Sequence, residues 1–238
     1  MDQRVNDQPA FLLHRREYQN SSLILELLTH DYGRISVLAK GARSRRDVAL
    51  FQIANRLQLG WSGRSELKIL TTIEGRSLNV PESCMIAIFY LNELLMYLLP
   101  RQDASPDVFE LYQRTLLQLQ TDSLEAVLRS FEFELLTALG LMPELGIDCI
   151  SGDTVVEDAG YRLNPTQGLL RVDSDEGQFY PGRHLLDIQA GDFRAATTLQ
   201  TAKRVMRSII DVNLQGRALQ SRSFYQQMNQ RKKDKAAK

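Results

Sequence analysis

Cysteine and histidine are scarce in this chain, and the scarcity constrains its chemistry. Only Cys84 and Cys149 occur among 238 residues, far apart. No disulfide framework follows from that, and the pattern suits a reducing compartment. Neither cysteine has a CxxC companion and no histidine stands near Cys149, so no metal and no cofactor are expected. His14, His30 and His184 are scattered, and no Ser/His/Asp or Cys/His arrangement can be built from local sequence. Phosphate-binding loops, dinucleotide fingerprints and HExxH are missing. Glu132 and Glu134 stand two apart and diverge around a helix, so they do not converge on a substrate. The expectation is a protein that is not an enzyme.

An excess of one charge is missing too. Lys+Arg and Asp+Glu balance at 29 each, so any case for a polyanionic partner must come from how charge is distributed. Long apolar runs are lacking: Met85 to Leu99 is interrupted by Asn92 and Glu93 and falls short of the ~20 residues a membrane span needs. Met1 to Gln8 is polar, with no apolar core of a signal peptide. No membrane partner is expected, and the cytoplasm is the expected location.

What is present reads first as strands. Ala10–His14, Ser22–Thr29 and Arg34–Lys40 are rich in Leu, Ile and Val and are separated by turn chemistry at Gln19-Asn20-Ser21 and Asp31-Tyr32-Gly33. Arg56–Trp61 alternates Leu57, Leu59 and Trp61 against polar residues, and Leu67–Ile73 follows the turn Ser62-Gly63-Arg64. Five short strands with tight turns fit a small barrel such as an OB-fold. Pro81 then changes the grammar. Glu82–Leu99 is apolar nearly all round, as a buried helix is. Ser105-Pro106 opens a second helix as N-cap and first helical residue. Asp122 with Glu125 resembles a capping box for a third, ending near Gly140. Residues 143–183 are rich in Gly, Pro and Asp and read as a loop-rich insert with extended pieces at Thr154–Val156 and Leu169–Val172. A last long helix begins near Thr197 with Leu199, Ala202, Val205, Ile209 and Val212 on one face, and a short one covers Ser223–Met228. The expected class is α+β: an N-terminal five-stranded OB-fold barrel over 1–80, then an all-helical domain over 81–230 carrying the insert. Residues 231–238 are expected to be a disordered basic tail.

Charge is unevenly spread. Arg34, Lys40, Arg43, Arg45 and Arg46 lie within thirteen residues that contain no carboxylate, where average composition would give roughly one to two basic residues and as many acids. Gly41-Ala42 keeps the turn small enough for backbone N–H groups to approach phosphates. A merely solvated loop is the alternative. Lys203, Arg204, Arg207, Arg217 and Arg222 form a second basic region opposed only by Asp211, with Lys203 and Arg207 neighbours on one helical face. In the third helix Leu124, Leu128, Phe131, Leu135 and Leu139 share one face. Arg129, Phe133 and Leu136 form a stripe roughly opposite. An arginine beside exposed Phe and Leu suits capture of an apolar side chain next to a carboxylate. The alternative is that neighbouring helices cover both faces and Arg129 pairs with an internal acid.

Gly33-Arg34-Ile35-Ser36-Val37-Leu38-Ala39-Lys40-Gly41-Ala42-Arg43-Ser44 resembles the strand and KGAR loop of the bacterial recombination mediator family RecO. Ala10-Phe11-Leu12-Leu13-His14-Arg15, Tyr90-Leu91-Asn92-Glu93-Leu94, Leu128-Arg129-Ser130-Phe131-Glu132 and Ser221-Arg222 agree, collinearly from about residue 10 to 225. The resemblance implies an OB-fold, a helical domain and an insert that in some members binds zinc. It implies binding of single- and double-stranded DNA, annealing of complementary strands, and partnership with RecR; the basic residues Arg34, Lys40, Arg43, Arg45, Arg46, Lys203, Arg204, Arg207 and Arg222 are the expected DNA contacts. Together the two would load RecA onto single strands coated by the single-strand binding protein, at the nucleoid. The C-terminal tail of that protein would dock on Arg129, with Phe133 and Leu136 added from helical geometry. Two features depart from the pattern: only Cys149 survives of the four-cysteine zinc signature, and Gln220 stands where a basic residue often precedes Ser221-Arg222. The second reading, from another class, is a protein-interaction scaffold whose barrel does not touch DNA; a third is an RNA-processing enzyme with a dispersed site.

Overall fold

The computed structural model describes residues 4–44, 48–172, 179–225 and 227. Five strands close a barrel: β1 (Arg4–Tyr18), β2 (Ser22–Thr29), β3 (Gly33–Ala39), β4 (Asn55–Ser62) and β5 (Leu67–Ser77). Their order is β1-β2-β3-β5-β4, closed by β1 against β4. Only β3 and β5 pair in parallel, which gives the five-stranded barrel of an OB-fold. Alternation decides which side chains face inward. Leu23, Leu25, Leu27, Ile35, Val37, Leu57, Leu59 and Trp61 fill the lumen, and Ala42 and Phe51 from the β3–β4 connection join them.

The outward face of β1 and β2 is also apolar, because two helices cover it. These are α1 (Met85–Leu98) and α2 (Pro106–Gln118). Phe11 and Leu28 on that face are fully buried, and Phe11 meets the rings of Phe109 and Tyr112 at 5.1 Å each. The β1–β2 ladder shifts register between Leu12 and His14. Asn92 Nδ2 donates to the Leu13 carbonyl at that shift (2.8 Å), and Tyr112 Oη donates to Asn92 Oδ1 (2.6 Å). Asn92 thus interrupts the apolar run to satisfy a buried backbone acceptor. The link between α1 and α2 lies against the start of β3: Gln102 N donates to Arg34 O. A Cβ on Gly33 (φ +62°) would stand 1.9 Å from Asp103 O, so glycine is required there.

Compact units do not part where the secondary structure changes at Pro81. One unit is Met1–Thr121 with Ala218–Lys238; the other is Asp122–Arg217. The second unit holds α3 (Leu124–Ala138), α4 (Gly182–Gln189), α5 (Ala196–Asn213) and a small sheet. In the sheet β6 (Gly160–Asn164) lies between β7 (Gly168–Val172) and β8 (Tyr180–Pro181). The loop-rich insert therefore carries a hairpin plus a third strand, with the expected extended piece Leu169–Val172 in it, whereas Thr154–Val156 makes only an isolated bridge from Thr154 to Ile147. Ser105 and Pro106 open α2 as expected, though without a side-chain cap. The expected capping box of α3 does not form: Ser123 is the N-cap and Glu125 pairs with Lys203. On α5 the buried stripe is rotated from the expected one. Val212 is exposed, while Thr198, Thr201, Met206 and Ile210 are buried. Hydrogen bonds from Thr198 Oγ1 to Asp187 and between Thr201 Oγ1 and His184 let those hydroxyls face α4. Residues 220–225 form a last short helix, α6; Met228 and the 231–238 tail lie outside the described residues. Among the described residues no helix is long and apolar enough to cross a membrane.

Candidate nucleic-acid interface

The basic loop divides by role. Lys40, just after β3, is exposed. Arg43 is anchored: its N donates to Ser21 O (3.0 Å) and its Nη1 to Glu17 Oε2 (2.7 Å). Its Nη2 donates to the Gln19 and Asn20 carbonyls. These bonds fasten the turn to the β1–β2 hairpin, and a third of the Arg43 side chain still faces water. Arg45 and Arg46 lie outside the described residues.

Arg34 is held inside the fold. Its side chain is only 11% exposed and faces Glu26 (3.7 Å), while its Nη2 donates to Leu99 O (3.1 Å). Arg101 reaches the same Glu26 at 3.1 Å. Burial, then the Arg101 charge, pushes the Arg34 guanidinium below its ordinary pKa, and Glu26 partly offsets this. Arg34 thus clamps β3 to the α1–α2 link and turns little of its charge to water.

Strand register supplies residues that the charge count passed over. Arg16 pairs with Ile24, which pairs with Leu38; Tyr18 pairs with Ser22 at the end where Lys40 leaves β3. Arg15 and Glu17 have the parity of the lumen and close its rim, Arg15 Nη1 donating to Phe51 O (2.6 Å) and Glu17 holding Arg43. Arg16 and Tyr18 therefore face outward, both exposed, with Tyr18 at the end of the barrel where Lys40 leaves β3. Continuing β1 through Arg15-Arg16-Glu17-Tyr18 would have revealed them in the sequence.

The second basic region is compensated. Lys203 Nζ donates to Glu125 (3.3 Å), Arg207 faces Asp211 (3.6 Å), and the Arg204 guanidinium lies 4.6 Å from the Tyr180 ring centroid. Such exposed ion pairs contribute at most about 1 kcal/mol, so a phosphate can displace the carboxylate. Arg222 belongs to the barrel unit, not with α5.

On α3 the exposed stripe is not found. Arg129 Nη2 meets Glu132 Oε1 at 2.8 Å, with 9% and 1% of the two side chains exposed. Leu136 is fully buried, and Phe133 is half-buried with its ring edge-on to Phe193 at 6.1 Å. Both faces are covered and the arginine pairs with an internal acid, the alternative left open by the pattern. Arg129 Nε is buried without a hydrogen-bond partner among the described residues.

The described part of the insert presents no zinc-ligand set. Cys149 is exposed, and no cluster of three His, Cys, Asp or Glu exists among the described residues. A carboxylate does the crosslinking there. Asp148 Oδ1 accepts from Ile150 N (2.8 Å) and Ser151 N (2.9 Å), and Oδ2 accepts from Arg171 N on β7 (2.6 Å). The turn is thereby tied to the hairpin through one side chain.

Comparison with known proteins agrees with this architecture. Residues 1–78 match the family described as recombination protein O N terminal, and residues 84–223 match recombination protein O C terminal. The chain is 40% identical over 229 residues to the DNA repair protein RecO of Cellvibrio japonicus, covering 93% of this chain and 97% of that one. It is 40% identical over 221 residues to that of Methylococcus capsulatus, covering 91% of each. With that of Pasteurella multocida it shares 37% over 228 residues, 93% and 95% of the two chains. Matches to both halves of the family, at this identity and over this length, place the chain in the RecO family.

Proposed function

We propose that this chain is a DNA repair mediator that binds single- and double-stranded DNA without covalent chemistry. The observation that carries the reading is the exposed group of Arg16, Tyr18 and Lys40 near the anchored Arg43, at one end of the barrel of a RecO-family chain. Cationic side chains at fixed positions neutralise phosphates without reading sequence, and Arg45 and Arg46 continue the same charge in the sequence. Lys203, Arg204 and Arg207 on α5, and Arg222, are further contacts. Annealing of complementary strands follows from holding two polyanions whose repulsion is screened. Cooperation with RecR, loading of RecA onto strands coated by the single-strand binding protein, and a nucleoid-associated cytoplasmic location complete the reading. The acidic tail of the single-strand binding protein would compete with Glu132 for the Arg129 guanidinium, beside Phe133; Leu136 would only support the helix.

The test is binding of labelled oligonucleotides across a salt series. Arg16→Glu with Lys40→Glu is the cleaner variant, because Arg43→Glu would also set a carboxylate against Glu17 and loosen the turn. Affinity of the unaltered chain should fall steeply with salt. The double charge reversal should remove most of the binding and flatten the slope by about 0.7–0.9 for each phosphate no longer neutralised. Unchanged affinity and slope would sink the assignment of DNA to this face. A scaffold that does not touch DNA would anneal no strands at low salt.

A further inference from the structure

The most exposed aromatic rings among the described residues are Phe224 (62%), Tyr225 (53%) and Phe89 (51%). All three belong to the barrel unit. Phe224 and Tyr225 are consecutive on α6, and the start of that helix is fixed. Gln220 N donates to Glu93 Oε1 (2.9 Å) and Ser221 N to Glu93 Oε2 (2.8 Å), an oxygen that Ser221 Oγ also reaches. Leu219 and Ser221 are buried. A carboxylate that takes up the first N–H groups of a helix satisfies donors that have no partner within it. The chain is thus pinned at 219–221 and then turns two adjacent rings to water. Phe89 precedes Glu93 by one turn on the same side of α1.

Charge indicates what covers these rings. Arg222 stands two residues before Phe224, and the sequence after α6 holds Arg231, Lys232, Lys233, Lys235 and Lys238 against Asp234 alone. An apolar protein surface would suit the rings but not the cations. A polyanion that carries planar rings suits both.

We propose that Phe224 and Tyr225, presented by the Glu93-capped helix, form a stacking platform for the unpaired bases of a single strand. The proposal rests on the DNA-binding reading above and adds strand selectivity to it. Every base has a π-face, so stacking tolerates any sequence. Bases in a duplex are already stacked on one another and offer none. Cations on the barrel meet phosphates of either form, whereas the platform meets only the single strand.

The experiment measures fluorescence anisotropy of the full chain with labelled oligothymidylate, an abasic oligomer of equal length, and a blunt duplex. Phe224→Ala with Tyr225→Ala should weaken binding to oligothymidylate roughly tenfold or more and leave the abasic and duplex affinities and the melting temperature unchanged. Tyr225→Phe should bind as the unaltered chain does, and Glu93→Ala should reproduce part of the loss by freeing the helix start. Equal affinity of the unaltered chain for oligothymidylate and the abasic oligomer would overturn the platform. So would a double-alanine variant that keeps its preference, which would leave the barrel reading standing. Failure of the unaltered chain to bind any of the three probes would instead remove the DNA-binding reading, and the platform with it.

Discussion

Asp148 shows how one side chain can crosslink a turn to a hairpin. Three backbone N–H groups converge on its carboxylate, from Ile150, Ser151 and Arg171. Those bonds, that of Ser151 foremost, then Arg171 and Ile150, hold its pKa below the ordinary 3.8, with burial opposing them weakly. A carboxyl depressed in the folded state contributes stability that is fully present above its unfolded pKa. That contribution is lost as pH falls from about 4 through the lower folded value. Amide exchange at Ile150, Ser151 and Arg171 should therefore accelerate, beyond its intrinsic pH dependence, over that acid window. Asp148→Asn should abolish this extra dependence and lower protection at pH 7; protection unaltered by the substitution would refute the role. In the sequence Asp148 is one acid in an acid-rich stretch, and nothing but the three-dimensional turn picks it out. Arg34 teaches the converse. It belongs to a conspicuous basic cluster, yet Glu26 and the Leu99 carbonyl take its charge inside.

Among the elements, α1 carries two polar residues that interrupt its apolar run, and each is tied to a particular neighbour. Asn92 joins Tyr112 to the Leu13 carbonyl left over at the β1 register shift; Glu93 caps α6. Asn92→Leu keeps the volume but leaves a buried hydroxyl and a buried carbonyl unsatisfied, at about 1–3 kcal/mol each. Tyr112→Phe alone should cost about 1 kcal/mol. Urea denaturation should show that the two substitutions are not additive, since both act on one network; strict additivity would disprove it. Burial already raises the Tyr112 hydroxyl above its ordinary pKa, with Asn92 opposing, as expected for a phenol that donates its proton in an apolar setting. The barrel strands were legible because alternation of period two and turn residues fix them locally. The α3 and α5 faces were not. Helical periodicity gives the angle between residues but not which side the neighbours cover, and both faces of α3 proved covered.

For the whole molecule, two separable bindings are proposed. Arg16 and Lys40 on the barrel unit are proposed to meet DNA, with further contacts on α5, and Arg129 on α3 is proposed to meet an acidic tail. Arg129→Ala would take one ion-pair partner from the buried Glu132, a loss of up to about 3–5 kcal/mol. Arg129→Lys keeps the charge but not the planar fork and is the better probe. It should weaken binding of a peptide ending in acidic residues and a terminal Phe roughly tenfold, with DNA affinity unchanged, whereas Arg16→Glu with Lys40→Glu should do the reverse. Isothermal titration with each ligand would reveal either variant affecting both bindings, and that result would end the separation. The sequence by itself determined the strand set, the helix starts at Ser105-Pro106 and near Thr197, the basic segments and the resemblance to RecO. Each of these is written in local spacing or in contiguous motifs. Tertiary structure alone decided which cations face water and which are internal, that α1 and α2 group with the barrel, and that Arg129 meets Glu132. Burial and pairing depend on residues distant in the chain. Arg34 and Lys40 are six positions apart in one basic segment, and only folding sends one inward to Glu26 and leaves the other at the rim, where a phosphate can reach it.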